Sequence, residues 1–275
     1  MSLPRRLLGR TGVEVTILGL GGEGVLRTYG QEREAQAVIQ AALEAGINYF
    51  ESARAYSGSE AYLGRGLKSH RARLFLTSKS HARTRPEAEA HLATTLKNLD
   101  TDYLDLWQVH DLRTKADLEA IAAPDGALEA FHQARQRGQV RFIGVTGHHD
   151  PAVLRQALEL YDFDTVLLPV NPAEPHYLNF LPLASQAASR GLGVVGMKVL
   201  CRGLLPQLQV AEVRHLVAYA LSQPVSLVVI GADSIPQVLE LAAAARTFQP
   251  LPPATQRHLE AAVAPYARGL MYYKP

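Results

Sequence analysis

The sequence predicts an α/β protein built as a single-domain (β/α)8, or TIM, barrel, and three observations predict it. Short apolar runs alternate with longer segments of helical period eight times along 275 residues. Those runs are rich in Val, Leu and Ile without strict alternation, as in strands buried on both faces of a parallel sheet. No linker, low-complexity tract or composition break interrupts them, so residues 1–275 read as one domain. A doubly wound open sheet is the rival. Gly19-Leu20-Gly21-Gly22-Glu23-Gly24 spells G-x-G-x-x-G behind a strand, and Glu51 ends the next one. Such a fingerprint should open its helix at once, whereas seven residues intervene here.

Residues 15–20 read as the first strand. A helix follows from Glu32, with Val38, Ile39 and Ala42 on one face and Gly46 as its stop. Residues 48–51 form the second strand and 59–67 its helix. The third strand is 74–78, after which Pro86 opens a helix carrying Leu92, Leu96 and Leu99. Residues 104–109 are the fourth strand, followed by a helix over 127–137 that stops at Gly138. Beyond the fifth strand, 140–145, Asp150-Pro151 caps and starts a helix bearing Val153, Leu154, Ala157 and Leu158. Residues 165–168, 193–199 and 227–230 supply three more strands, with helices near 183–189, 210–221 and 235–245. A last helix near 254–266 precedes a brief tail, so the mouth of the barrel is expected to be open and wide.

Lys and Arg number 28 against 26 Asp and Glu, a net charge of +2 with no basic block, which argues against a nucleic-acid partner. The single cysteine, Cys201, excludes an internal disulfide and fits a reducing, cytoplasmic location. The amino terminus lacks the apolar stretch of a signal peptide. No run approaches the ~18 apolar residues of a membrane helix. A small-molecule partner, and a monomer or small homo-oligomer, is the expectation.

In a barrel, polar residues at the carboxyl ends of strands face the active site whatever their separation in sequence. Those ends carry Glu51, Lys79 and His110, with Tyr56 just beyond Glu51. Each has a bland alternative as a packing tyrosine, a solvated lysine or a structural histidine. Four such groups from consecutive units are harder to dismiss. His148-His149-Asp150 and His110-Asp111 match no compact metal signature, so no metal is expected in this protein.

Asn48-Tyr49-Phe50-Glu51-Ser52-Ala53-Arg54-Ala55-Tyr56 resembles the aldo-keto reductase segment F-D-[ST]-A-x-x-Y. Leu76-Thr77-Ser78-Lys79 and Asp102 to His110 follow in the order of that family's lysine and histidine motifs. Gly138 to Thr146, Gly196-Met197-Lys198 and Ile230 to Ser234 extend the resemblance over most of the chain. It implies NAD(P)H-dependent reduction of an aldehyde or ketone. Tyr56 would donate the proton, with its pKa lowered from ~10 by Lys79. His110 would bond the carbonyl oxygen. The resemblance places the cofactor, NADP(H) or NAD(H), along Gly22 and Glu23, then Thr146, then Met197, Lys198, Arg202 and Gly203. Ile230, Gly231, Ala232, Asp233, Ser234 and Gln237 would complete that site.

Several positions depart from the family pattern. Glu51 stands where an aspartate pairs with the lysine, and ~1 Å of misplacement in an active site can cost about 100-fold in rate. Glu51 would pair with Lys79 after small shifts, reach past it, or mark a weakened site kept for binding. Asp233 replaces a basic residue that would hold the adenosine 2′-phosphate. Leu167, Met197 and Leu241 replace a carboxamide-holding glutamine, a stacking aromatic and an asparagine. The alternative reading is therefore a cofactor-binding regulatory or weakly active barrel with a degenerate site.

Overall fold

The computed structural model describes residues 2–275. It opens with an antiparallel hairpin, β1 (Arg5–Leu7) and β2 (Glu14–Thr16), before the chain enters the barrel at β3 (Leu18–Gly24). The predicted first strand is thus two elements. Thr16 breaks the run by bonding the Leu18 carbonyl and the Asn48 side chain. The other barrel strands are β4 (Tyr49–Glu51), β5 (Phe75–Ser80), β6 (Leu104–Val109) and β7 (Val140–Thr146). They continue with β8 (Thr165–Pro169), β9 (Gly193–Met197) and β10 (Leu227–Ala232). All neighbours pair in parallel, and β10 closes on β3. The rival open sheet is excluded, and the G-x-G-x-x-G run is the body of β3 rather than a strand-to-helix turn.

Period-two alternation divides each strand between two cores. Tyr49, Phe75, Leu106, Leu167, Val195, Leu227 and Val229 fill the barrel interior, joined by Leu8 and Val15 of the hairpin, which closes its amino-terminal end. The alternate residues pack outward on the helices, as where Trp107 stacks on Phe131 with centroids 3.7 Å apart.

The first helices are α1 (Glu32–Glu44), α2 (Ser59–Leu67) and α3 (Arg85–Leu99). Next, α4 (Lys115–Ala122) is an element the periodicity missed. Thr114 and Asp117 form a capping box there, each side chain bonding the other's backbone N–H. Then come α5 (Ala127–Gln136) and α6 (Pro151–Leu160), the latter capped by Asp150 on Ala152 N at 2.8 Å as predicted. The remainder are α7 (Leu181–Ser189), α8 (Leu204–Gln207), α9 (Val213–Leu221), α10 (Ile235–Arg246), α11 (Pro253–Val263) and α12 (Ala267–Leu270). Among the described residues, no helix is long and apolar enough to cross a membrane.

Candidate active site

Glu51 ends β4, Lys79 lies near the end of β5, and His110 follows β6, so strand register alone gathers them at the carboxyl rim. Lys79 is buried, and its Nζ donates to Glu51 Oε1 at 2.7 Å and to the Ser52 carbonyl at 2.9 Å. Burial lowers the ammonium's pKa and the Glu51 carboxylate counters it. The second Glu51 oxygen takes a long bond from Gln108 Nε2 at 3.4 Å, and the same amide donates to Thr77 Oγ1 at 3.1 Å. Gln108 was not singled out from sequence. The signal was available: with Leu106 it sits on the inward phase of β6, and a polar residue on that phase near a strand end faces the site.

Tyr56 hangs over this pair from the loop after β4. Lys79 Nζ lies 4.9 Å from its ring centroid and the Arg27 guanidinium 4.8 Å. His110 meets it edge-on, with centroids 5.7 Å apart at 83°. The expectation that Lys79 lowers the phenol's pKa is not met. Lys79 addresses the ring, its bonds go to Glu51 and Ser52, and the phenol is pushed well above its ordinary value. Burial is the main cause, reinforced by the Glu23 and Glu51 charges and opposed by Arg27 and Arg202. Tyr56 is therefore held in its protonated form.

Burial, then the nearby charge of Lys79, drives the His110 imidazole well below its usual range, so it is neutral. Its backbone is fixed by Ser80 and Arg83, while Nδ1 is buried without a protein partner among the described residues.

A cavity of about 820 Å³ opens beside Glu51 and Tyr56, within the ~300–1,000 Å³ usual for small-molecule sites. Of the sequence-predicted cofactor residues, Gly22, Glu23, Met197, Lys198, Arg202 and Gly203 line it. So do Ile230, Gly231, Asp233 and Gln237. Three do not. Thr146 is spent on accepting from Asp111 N at 2.8 Å, and Ala232 and Ser234 stand off the wall. Lys79 and His110 flank Tyr56 without lining the cavity.

The register slips between Ile230 and Ala232 against β3, and Gly231 sits in that bulge. A Cβ there would lie 2.8 Å from the Glu23 backbone, so glycine is what lets β10 and β3 approach. Arg27, unassigned from sequence, joins Lys198 and Arg202 around the single Glu23 carboxylate at 2.9, 3.7 and 3.5 Å. Burial opposes ionisation of Glu23, but the three cations outweigh it and hold its pKa below the usual range. Three cations on one carboxylate make this cluster locally positive, which suits a dinucleotide's phosphates, although Glu51, Asp233 and Glu240 also line the cavity. Asp233 N donates to Gln237 Oε1 at 2.7 Å at the start of α10. Leu167 is absorbed into the barrel interior, with Met197 packed on that cluster.

The brief tail is anchored beside the mouth. Lys274 Nζ and Tyr273 Oη both donate to the buried Glu174 at 2.7 Å, which ties the chain end to the loop after β8. Tyr273 then meets His148 edge-on at 5.7 Å, and Tyr272 lies 5.2 Å from the Arg202 guanidinium. His148 in turn sits 3.2 Å from Asp111, whose other oxygen is held by Arg113 at 2.7 Å.

The Aldo/keto reductase family model matches residues 17–216. L-Galactose dehydrogenase of Arabidopsis thaliana is 30% identical over 230 residues, covering 74% of this chain and 67% of the relative. Among solved structures, the holo form of aldo-keto reductase AKR11C1 from Bacillus halodurans superposes with a TM-score of 0.80. It shares 24% identity, with 94% of this chain and 96% of that one covered. An aldo-keto reductase from Klebsiella pneumoniae in complex with NADPH gives 0.78 at 20% identity, covering 96% of each chain. The matched segment contains β3 through β9 and all four residues around Tyr56, and the chain belongs to the aldo/keto reductase family of NAD(P)H-dependent oxidoreductases.

Proposed function

We propose that the protein reduces an aldehyde or ketone to an alcohol, with Tyr56 as proton donor. The observation that carries this is the protonated Tyr56 at the wall of the cavity, with two cations over its ring and neutral His110 at its edge. A bound dihydronicotinamide supplies the hydride to the carbonyl carbon. Tyr56 Oη passes its proton to the carbonyl oxygen as the C–H bond forms, which leaves a phenolate. Its raised pKa keeps the proton in place beforehand. Lys79 and Arg27 then stabilise the phenolate's charge through the ring, and the Glu51 pair fixes Lys79 in position. Neutral His110 orients the carbonyl oxygen as a hydrogen-bond donor.

Lys198, Arg202 and Arg27 would hold the phosphates. Asp233 offers a carboxylate to a free 2′-hydroxyl and repels a 2′-phosphate, so NADH should bind more tightly than NADPH. The lone, buried Cys201 suits a reducing cytoplasm.

Tyr56→Phe should lower kcat by ~10²–10⁴-fold on a panel of aldehydes, ketones and dicarbonyls, with the cofactor dissociation constant little changed. Undiminished turnover would remove Tyr56 from the role. One observation favours a second reading, a cofactor-binding protein with little turnover: Lys79 lies over the Tyr56 ring with its bonds spent elsewhere. Fluorescence titration with NADH and NADPH, followed by the same panel, separates the two readings. Tight binding without turnover would select the second.

A further inference from the structure

Outside this centre, the segment after β5 and the first turns of α3 bring His81, Glu87 and His91 together. One donor atom from each lies within 4.8 Å of the others. Glu87 and His91 stand four residues apart on one face of α3, while His81 reaches across from the loop, its ring centroid 4.7 Å from that of His91. Neither His81 nor Glu87 is covered by other parts of the chain. Ser80 Oγ sits 2.8 Å from His91 Nδ1 and also accepts from Ala82 N at 3.2 Å. A hydrogen bond to one ring nitrogen is what orients a metal-ligating histidine and leaves its other nitrogen free to ligate.

We infer that His81, Glu87 and His91 form a surface site for a divalent transition-metal ion, zinc in first place, with a fourth position open to water. Two imidazoles and one carboxylate are the donor set of a three-ligand zinc site, whereas magnesium and calcium seek oxygen alone. Zinc's bonds of about 2.0–2.2 Å draw the donors closer than they stand, which the exposed His81 and Glu87 accommodate by turning inward, Glu87 giving up a long 3.4 Å bond from Arg83 N. The ion would tie the loop to α3. Arg83, two residues after His81, grips the carbonyls of His110 at 3.1 Å and Asp111 at 2.9 Å. A metal clamp on this loop therefore stiffens the strut beneath the catalytic rim, without itself touching Tyr56.

The test is a zinc titration of tag-free, chelator-stripped protein against a chromophoric competitor, with cobalt absorption as the report of coordination geometry. One zinc per chain is expected, with a visible tetrahedral cobalt band. His81→Ala and His91→Ala should each weaken zinc binding by about 10-fold or more and abolish the band, with Glu87→Gln weakening it less. His81 and Glu87 are exposed, so His81→Ala and Glu87→Gln keep the metal-free melting curve, which is measured alongside for all three variants because His91→Ala also loses the bond to Ser80. Equal zinc affinity in parent and His81→Ala, or a cobalt band unaltered by all three substitutions, would place the metal elsewhere and overturn the site.

Discussion

Glu51 is where the residue scale decides most. Its extra methylene is fitted, not idle: one oxygen reaches Lys79 at 2.7 Å while the other faces Gln108. Of the three accounts open from sequence, the geometry favours the pair with Lys79. Glu51→Asp pulls the carboxylate back from both partners at once, so kcat should fall, with cofactor affinity little changed. Glu51→Gln keeps the reach but strips the counter-charge from a buried ammonium, a loss worth about 3–5 kcal/mol of stability when one partner of such a pair is removed. The Gln variant should therefore be the less stable and the less active, read by urea denaturation and by kcat at saturating cofactor. Parent-like values for the Gln variant would deny Glu51 any electrostatic role. The four residues were legible because each ends or follows a strand. The direction of the Tyr56 shift was not, because it depends on burial and on Glu23, whose neighbours come from loops far apart in sequence.

At the scale of elements, the strands and most helices follow from apolar period, and the misses have local causes. The helix α4 was announced by Thr114-Lys115-Ala116-Asp117, a capping signal in a segment whose apolar stripe is short. The tail was illegible for another reason. A lysine beside a chain end is ordinarily solvated, yet Lys274 and Glu174 are both fully buried and bonded. Burial lowers the Lys274 pKa and raises that of Glu174, each opposed by the other's charge. Lys274→Ala leaves Glu174 with the Tyr273 hydroxyl and Phe180 N but no counter-charge, and should cost about 3–5 kcal/mol. Adding Glu174→Gln removes the stranded charge and should recover much of the loss. A double-mutant cycle by chemical denaturation measures this, and strictly additive losses would mean the pair contributes nothing as a pair. Because the same tail carries Tyr272 and Tyr273 to the rim, KM should rise in Lys274→Ala more than kcat falls.

For the whole molecule, the alternation of eight strands and helices pointed to the barrel together with the family resemblance, and the observed closure disposes of the open-sheet rival. The fold also sets how stability responds to acid, because burial, deep for His110 and His148 and partial for His91, favours their neutral rings. His110 is held well below its usual pKa and His148 and His91 below theirs, burial being the first cause in each. In the unfolded chain all three titrate near ~6.5. Between that value and their lower folded ones, the unfolded chain binds more protons than the folded chain. The free energy of unfolding therefore rises with pH across that window and falls as pH drops through it. Each proton so excluded steepens the dependence by about 1.4 kcal/mol per pH unit. Asp117, which Arg83 holds below the carboxylate range against the cost of burial, extends the decline to lower pH. Urea midpoints should be level from pH 8 to 7 and decline steadily from about pH 6.5 downward, with the slope shallower in His110→Gln, whose amide carries no such penalty. A parent midpoint unchanged between pH 7.5 and 5.5 would mean that these rings protonate in place, and would remove His110 from the role of neutral donor in the proposed reduction.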